Sequence, residues 1–241
     1  METKQNNQKI SLLICAHNEE KYIERCLAYA IKNSNGLFYE IIVVNNASSD
    51  RTALIASGFK KYNVLVVTEN EKGLTKARQR AFFEARGDIL AFIDADTRMR
   101  EGWCEKIIYE YQKNPNLVCL SGPYVYYDMN KIHKFFVKMY WYLLAIPSYW
   151  LIGYMAVGGN FVIKKDVLKN MGGFDKTIKF YGEDTNIARR AAKFGKVKFS
   201  IFFVMPTSAR RFLEENALKM AAIYILNFIS EIEKSVCLNL T

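Results

Sequence analysis

Histidine is almost absent from this chain, and the cysteines show no pairing. Only His17 and His133 occur among the 241 residues, which argues against a zinc site built on several histidines. The cysteines are odd in number and lack the paired spacing of metal sites or of a disulfide framework. They are Cys15, Cys26, Cys104, Cys119 and Cys237. We therefore expect free thiols in a reducing, cytoplasmic compartment.

The glycine-rich phosphate loops of two large nucleotide-binding classes are also missing. Neither GxGxxG nor GxxxxGK[ST] occurs, which argues against a dinucleotide-dependent dehydrogenase and against a P-loop enzyme. Acidic side chains are in deficit, because 34 Lys and Arg residues outnumber 24 Asp and Glu residues and leave a net charge of +10. This charge indicates an anionic partner. Nucleic acid, a phosphorylated substrate and an anionic membrane all fit it.

Apolar runs and helical patterns alternate through the first hundred residues. Strands are predicted at 10–15, 40–44, 62–67 and 89–93, and helices at 20–32, 52–58 and 74–86. This order indicates an α/β fold with a mostly parallel central sheet flanked by helices. We expect one domain over 10–211, a polar tail at 1–9 that is not a signal peptide, and a C-terminal helical extension at 212–241.

Residues 139–163 carry no formal charge and are rich in tryptophan and tyrosine. The segment is long enough to cross a membrane. A crossing would, however, place the acids at 94 and 96 on the opposite side from those at 183 and 184. Two interpretations stay open: an aromatic surface lying against lipid headgroups, at the inner face of the membrane, or an ordinary core helix, turn and strand. For the predicted helix at 214–234, three packing partners stay open: the domain, another subunit or a membrane.

Two carboxylates end the apolar run at 89–93. Asp94 and Asp96 lie two positions apart, so on a strand they point to the same side. At the carboxyl end of a parallel sheet, they face the crevice where such sheets bind ligands. Their oxygen ligands favour Mg²⁺ or Mn²⁺ over zinc, bridged to a nucleotide diphosphate. The alternative is a solvated loop in which Asp96 caps a helix.

Four segments in order carry a resemblance to a known family. They are SLLICAHNEE (11–20), IIVVNNASSDRT (41–52), GLTKARQRAFFEARGDILAFIDAD (73–96) and GGNFVIKKDVLKNMGGFDKTIKFYGEDTNIARRAAKFG (158–195). Together they resemble the family-2 glycosyltransferases, which have the GT-A nucleotide-sugar fold. The resemblance covers about residues 10–211. It implies an inverting enzyme that takes its sugar from a nucleotide-diphosphate donor.

The resemblance implies a donor site along the ends of the first strands. Cys15, Ala16, His17 and Glu19 would lie beside the base and ribose, Asn46 near the base edge, and Asp94 and Ala95 against the donor. Asp94 and Asp96 would hold Mg²⁺ or Mn²⁺, while Arg78 and Arg210 or Arg211 would neutralise the diphosphate. Ordinary alternatives exist for these residues: an acidic first helix turn at Glu19, an Asx turn at Asn46, a solvated basic helix face at Arg78, and a surface basic pair at 210–211.

The resemblance also implies an acceptor side of the site. Asp184 would be the general base that deprotonates the acceptor hydroxyl, with Gly159, Asn160 and Glu183 beside the acceptor. The alternative for Asp184 is capping of the helix that follows it. Three positions depart from the family pattern: Asn45 replaces an aspartate, Gln79 replaces an asparagine, and no histidine follows Asp184. The departure at Asn45 bears on which base the donor carries. Relatives commonly place a metal-binding histidine beyond the acid pair, so its lack here leads us to expect a weaker dependence on metal than is usual in the family.

The leading hypothesis is transfer of a sugar to an acceptor hydroxyl in the synthesis of cell-surface polysaccharide or lipid-linked glycan. The acceptor is then a sugar or a lipid-linked sugar, and peripheral contact with the membrane is expected. One alternative is a Mg²⁺-dependent nucleotidyltransferase, which would release pyrophosphate. The other is a basic protein without enzymatic activity that binds nucleic acid or membrane. The motifs disfavour a nucleic-acid partner.

Overall fold

The computed structural model describes residues 8–178 and 182–210. The predicted tail at 1–9 lies mostly outside this part of the chain. Arg211, the extension at 212–241 and the predicted helix at 214–234 lie entirely outside it. All statements below concern the described residues.

A seven-stranded sheet forms the centre of the molecule. In chain order the strands of the structure are β1 (Ile10–Ala16), β2 (Phe38–Asn46), β3 (Val64–Glu69), β4 (Ile89–Asp94), β5 (Leu117–Ser121), β6 (Tyr124–Tyr126), β7 (Asn160–Lys164), β8 (Lys196–Phe199) and β9 (Met205–Thr207). The sheet has the order β3-β2-β1-β4-β7-β5-β8, and β6 pairs separately with β9. Only β7 runs antiparallel to its neighbours in the large sheet. The predicted α/β class with a mostly parallel sheet is confirmed.

Helices cover both faces of this sheet. They are α1 (Ile23–Asn33), α2 (Thr52–Ser57), α3 (Leu74–Glu84), α4 (Trp103–Lys113), α5 (Lys131–Tyr140), α6 (Ile146–Ile152), α7 (Lys165–Asn170) and α8 (Glu183–Ala191). Because strand side chains alternate, Leu12 packs with α1 and α4 in one core and Leu13 packs with α3 and α8 in the other. The two cores hold the sheet between them and leave the carboxyl ends of β1, β2 and β4 at one rim.

The predicted strands and helices of the first hundred residues are present, with shifted ends. The first helix begins at Ile23 and not near residue 20, because the amides of Tyr22 and Ile23 both donate to the Glu19 carbonyl in a preceding turn. The third strand begins at Val64 and not at Tyr62. A 3-10 turn at Lys60–Tyr62 ends on Asn63, whose φ of 61° lies in the left-handed region and interrupts the strand.

The uncharged segment at 139–163 divides into two parts with different environments. Its end forms the buried strand β7. Its beginning belongs to one 22-residue helix, Lys131–Ile152, in which a π-helical turn at Trp141–Ala145 joins α5 to α6. This helix has a mean hydropathy of 1.2 in its most apolar window and is almost wholly exposed, so it is long and apolar enough to cross a membrane. The interpretation as a core helix is wrong for this part.

Candidate active site

A cavity of about 590 Å³ opens at the carboxyl ends of β1, β2 and β4. This volume is within the usual range for pockets that hold small ligands. The structure places these residues of the predicted donor site in its lining: Cys15, Ala16, His17, Glu19, Asn46, Asp94, Ala95, Asp96 and Arg210. Lys72, Lys76 and Lys176 also line the cavity, so an anion in it would meet positive charge.

Asp94 ends β4 and is held by groups that are distant in sequence. Its Oδ2 accepts a hydrogen bond from the Tyr124 hydroxyl at 2.7 Å, and its Oδ1 lies 3.8 Å from Nη2 of Arg78. Burial, and then the Asp94 carboxylate, raise the pKa of Tyr124 well above its usual value, so the phenol stays a hydrogen-bond donor. No sequence motif marks Tyr124, and the sequence reasoning missed it.

Gly159 packs directly against Asp94. A Cβ atom at this position would lie 2.2 Å from Cγ of Asp94 and 2.1 Å from the Tyr124 hydroxyl oxygen. Any side chain would therefore displace the carboxylate, and only glycine permits this approach. The neighbouring Gly158 donates its amide to Oδ2 of Asp184 at 3.2 Å. Two adjacent glycines thus separate Asp94 from Asp184, which are ninety positions apart in the chain.

Asp96 lies in the turn after β4 and bonds to the other end of the described chain. Its Oδ1 accepts from Thr207 Oγ1 at 3.0 Å, and its Oδ2 accepts from Nε of Arg210 at 3.1 Å. Arg210 also donates to Glu19, and its guanidinium lies 4.5 Å from the ring centre of Tyr22. The arginine is therefore held between two carboxylates at the rim of the cavity and is not a free surface cation.

Asp184 lies in the first turn of α8, which begins after Gly182. Gly182 is the N-cap residue and has a φ of 84°, so the interpretation of Asp184 as the cap of this helix is wrong. Burial, followed by the neighbouring Glu183 carboxylate, raises the pKa of Asp184 from 3.8 to about 7. A carboxylate with this pKa exchanges protons near neutral pH, as a general base must.

Arg78 is buried and joins the two acidic groups. Its Nη1 donates to Glu183 at 3.0 Å and its Nη2 donates to the Gly158 carbonyl at 2.6 Å. The guanidinium does not line the cavity. In this structure Arg78 is a buried link between Asp94 and Glu183, and Glu183 is buried in the same ion pair.

Two asparagines of the predicted site have structural partners. The Asn46 amide donates to the carbonyls of Glu69 and Glu71 and accepts from the Gly73 amide, so it holds the loop after β3 at the edge of the cavity. Asn160 is fully buried, where it donates to two carbonyls and accepts from the Trp103 indole. An acceptor sugar cannot reach it.

The described cysteines are free thiols, as expected for a chain without a disulfide framework. Burial raises the pKa of Cys26 and of Cys119 to about 12. These thiols therefore stay protonated and apolar at neutral pH. Cys237 lies outside the described residues.

The donor set fits a divalent cation that is shared with a substrate. No group of three or more His, Cys, Asp or Glu side chains within 8–178 and 182–210 is arranged to hold a metal by itself. Asp94 and Asp96 nevertheless both line the cavity. Mg²⁺ in phosphate-transfer sites is commonly held by one or two carboxylates together with substrate phosphates. Two carboxylates are therefore sufficient when a diphosphate completes the coordination.

Comparison with known proteins is consistent with this geometry. The model of the family described as glycosyl transferase family 2 matches residues 11–172, so the Glu183–Asp184 pair lies beyond the matched part. The chain is 28% identical over 204 residues to the probable glycosyltransferase YdaM of Bacillus subtilis, which covers 78% of the chain and 47% of that protein. It is 36% identical over 119 residues to a dolichol-phosphate mannosyltransferase of Pyrococcus furiosus, covering 48% of the chain and 34% of that protein.

A solved structure shares the fold. The mannosyltransferase PcManGT of Pyrobaculum calidifontis, determined with GDP-Man and Mn²⁺, superposes with a TM-score of 0.63 at 18% identity, over 83% of this chain and 57% of that one. The chain spans less than half the length of the two curated relatives. Because the family model matches well over half of its residues, this chain belongs to glycosyl transferase family 2, with the GT-A fold.

Proposed function

We propose that this chain is an inverting glycosyltransferase that moves a sugar from a nucleotide-diphosphate donor to an acceptor hydroxyl. The observation that carries the proposal is that two acidic groups lie close together, one against each of the adjacent residues Gly158 and Gly159. Asp94 lies against one glycine and Asp184 bonds to the other. The first carboxylate faces a cavity of nucleotide size, and the second has the pKa of a general base.

The cavity side of the site binds the donor. Asp94 and Asp96 would hold Mg²⁺ or Mn²⁺ against the diphosphate, and the bound cation supplies Lewis-acid stabilisation of the leaving diphosphate. Tyr124 and Gly159 fix the position of Asp94, while Thr207 and Arg210 fix Asp96. The lysines of the lining attract the phosphates. The bound donor of PcManGT, GDP-Man, is of this chemical class.

Asp184, on the other side of the two glycines, activates the acceptor. Asp184 removes the proton of the acceptor hydroxyl as its oxygen attacks the anomeric carbon. The bond between that carbon and the diphosphate oxygen breaks, and the electron pair leaves with the nucleoside diphosphate. Attack from the face opposite the leaving group inverts the configuration. The proton resides on Asp184, whose raised pKa allows it to be retained near neutral pH and then released.

We also propose a lipid-linked sugar or a growing cell-surface polysaccharide as the acceptor. One relative is named a dolichol-phosphate mannosyltransferase, and another is a glucosyl-dolichyl phosphate glucuronosyltransferase of Haloferax volcanii. Both names refer to lipid-linked substrates. A protein that acts on such acceptors works at a membrane surface.

The test is a panel of nucleotide sugars with Mg²⁺ or Mn²⁺, read by release of nucleoside diphosphate. The variant Asp184→Asn should keep donor binding in calorimetry and lose transfer by about 10²-fold or more, since general-base catalysis contributes about 10²–10⁴-fold. Asp166→Asn is the matched control and should retain activity. Asp166 is exposed and lies in the first turn of α7.

Three results would contradict the proposal. Full transfer by Asp184→Asn removes the base assignment. Release of pyrophosphate in place of nucleoside diphosphate indicates a nucleotidyltransferase. Tight, salt-dependent binding to DNA without any effect of nucleotide sugars indicates a nucleic-acid-binding protein.

A further inference from the structure

We propose that the outer face of the helix Lys131–Ile152 docks on the surface of an anionic phospholipid membrane. The outer face is defined by Ile132, Phe136, Met139, Leu143 and Trp150. The proposal concerns a surface and not the reaction, and it stands whether or not the chain transfers sugar.

The outer face exposes large apolar side chains to solvent. Ile132 is 68% exposed, Phe136 61%, Leu143 62% and Trp150 77%. The first four residues of the face follow one another at intervals of three or four, which places them on one side of a helix. Soluble domains rarely expose a contiguous apolar patch of this kind unless it meets a partner.

The opposite side of the same helix is fixed to the domain. Trp141 donates its indole N–H to the Tyr124 carbonyl at 3.1 Å and stacks on Phe199 at 5.6 Å. Ala145 is buried, and the Tyr149 hydroxyl donates to the Val197 carbonyl at 3.2 Å. The helix therefore does not lie free in solvent, and it presents the outer face away from the domain.

The attachments at its two ends exclude a crossing by this helix in the folded domain. It follows β6, where Tyr124 bonds to Asp94, and it precedes β7, which pairs with β4 and β5 in the central sheet. A helix that crossed a bilayer would have to place β6 and β7 on opposite sides of it. A helix bound to the domain along its length can only lie in the plane of the interface.

The charge around the outer face selects anionic lipid as the partner. Residues 129–165 contain no Asp or Glu, whereas Lys131 and Lys138 lie along the exposed start of the helix. Lys134 of the same helix donates to the Tyr127 carbonyl at 3.3 Å and faces the domain. Tyr140, Tyr142 and Trp150 are exposed there too, and such rings favour the headgroup region of a bilayer. A second copy docked on the same face would bring like charges together. Lysines beside an apolar face instead reach lipid phosphates while their stems contact the acyl boundary.

The docked helix is anchored beside the candidate site, because Trp141 donates to the carbonyl of Tyr124, whose hydroxyl in turn bonds to Asp94. The chain continues from the helix to Gly158 and Gly159 of the site. Docking would therefore bring the acceptor side of the site close to the lipid surface.

The first test is co-sedimentation of the full chain with vesicles, without nucleotide sugar. We expect binding to vesicles of phosphatidylcholine with phosphatidylglycerol, and at least about tenfold weaker binding to phosphatidylcholine alone, because basic residues contribute about 1 kcal/mol each near an anionic surface. The variant Phe136→Ser/Leu143→Ser/Trp150→Ser should lose about tenfold or more in affinity for the anionic vesicles. Leu54→Ser/Phe83→Ser, at residues 71% and 68% exposed on other helices, is the matched control and should bind like the parent chain.

A second measurement separates lipid contact from a role in folding. Vesicles with brominated acyl chains should quench the tryptophan fluorescence of the parent chain, and Trp150→Phe should lose most of that quenching with an unchanged melting temperature. Absence of vesicle binding, or equal binding by the triple variant, would overturn the proposal. A dimer in light scattering that the triple variant dissociates would assign the face to a second copy. If the parent chain does not bind vesicles and the triple variant loses much stability, the outer face would be assigned to residues 212–241 as its partner.

Discussion

Asp184 is a buried carboxyl group with the Glu183 carboxylate beside it. Its ionised form is stabilised by the amides of Gly158 and Thr185 and opposed by burial and by Glu183. Burial prevails, so the folded pKa lies near 7 while that of an unfolded aspartate is about 3.9. The same perturbation that suits a base costs the folded state free energy when the carboxylate is charged.

The pH dependence of activity and of stability should both report Asp184. Transfer requires the ionised form, so kcat/KM should rise with pH below 7 and level off above it. The raised folded pKa means that the folded state binds more protons between about pH 4 and 7, so this group lowers the free energy of unfolding as pH rises through that window. Urea titrations at pH 5.5 and 8 should therefore show that Asp184→Asn gains more stability at pH 8. Equal gains at both pH values would contradict the assignment.

At the scale of elements, β7 determines how the site is assembled. It is the antiparallel strand between β4 and β5, and it directly follows Gly158 and Gly159. Its first residue, Asn160, donates to the carbonyls of Gly122 at 3.0 Å and Phe203 at 2.6 Å and accepts from Trp103 at 3.1 Å. One side chain thus connects β7 with the segments after β5 and β8 and with α4.

Replacement of Asn160 should destabilise the fold more than it affects chemistry. Asn160→Ala leaves two carbonyls and an indole N–H buried without these partners, at a cost of about 1–3 kcal/mol for each group that stays unpaired. We expect a loss of about 3 kcal/mol or more in the free energy of unfolding, measured by urea titration. Asn70→Ala, at an exposed position, is the control. A variant as stable as the parent chain would show that the buried network contributes little.

At the scale of the whole molecule, the cavity gathers groups from both halves of the sequence. Glu19 and Asp96 come from the β1 and β4 ends of the sheet, and both bond to Arg210 at the end of the described chain. A ligand seated among them contacts segments that are distant in sequence. Ligand binding should therefore stabilise the entire domain and not one loop.

Nucleoside diphosphate with Mn²⁺ should raise the melting temperature. At one hundred times its dissociation constant a ligand contributes about 2.7 kcal/mol. For a chain of this length that corresponds to about 5–10 °C in thermal-shift measurements. EDTA should abolish most of the shift, because Asp94, Asp96 and the diphosphate then repel one another, and Asp96→Asn should reduce it. The nucleoside without phosphates is the control. An undiminished shift in EDTA would mean that arginine and lysine alone neutralise the diphosphate.

The elements of the first hundred residues and the position of the cavity were predictable from sequence. Apolar runs and helical patterns are local, so the runs at 10–15, 40–44 and 89–93 specify their strands without knowledge of the rest of the chain. A parallel sheet then brings the strand ends to one rim. The acids at Asp94 and Asp96 follow from this rule alone, and both line the cavity.

Only the tertiary structure decided which side chains pair. Arg78 has a partner 105 positions away in Glu183, Asp96 has one 114 positions away in Arg210, and Tyr124 reaches Asp94 across 30. Whether an arginine faces a cavity or a buried carboxylate depends on packing between distant segments, which local patterns do not encode. The helix Lys131–Ile152 illustrates the same limit, because its composition fits a core as well as an interface and only the fold shows that it is exposed.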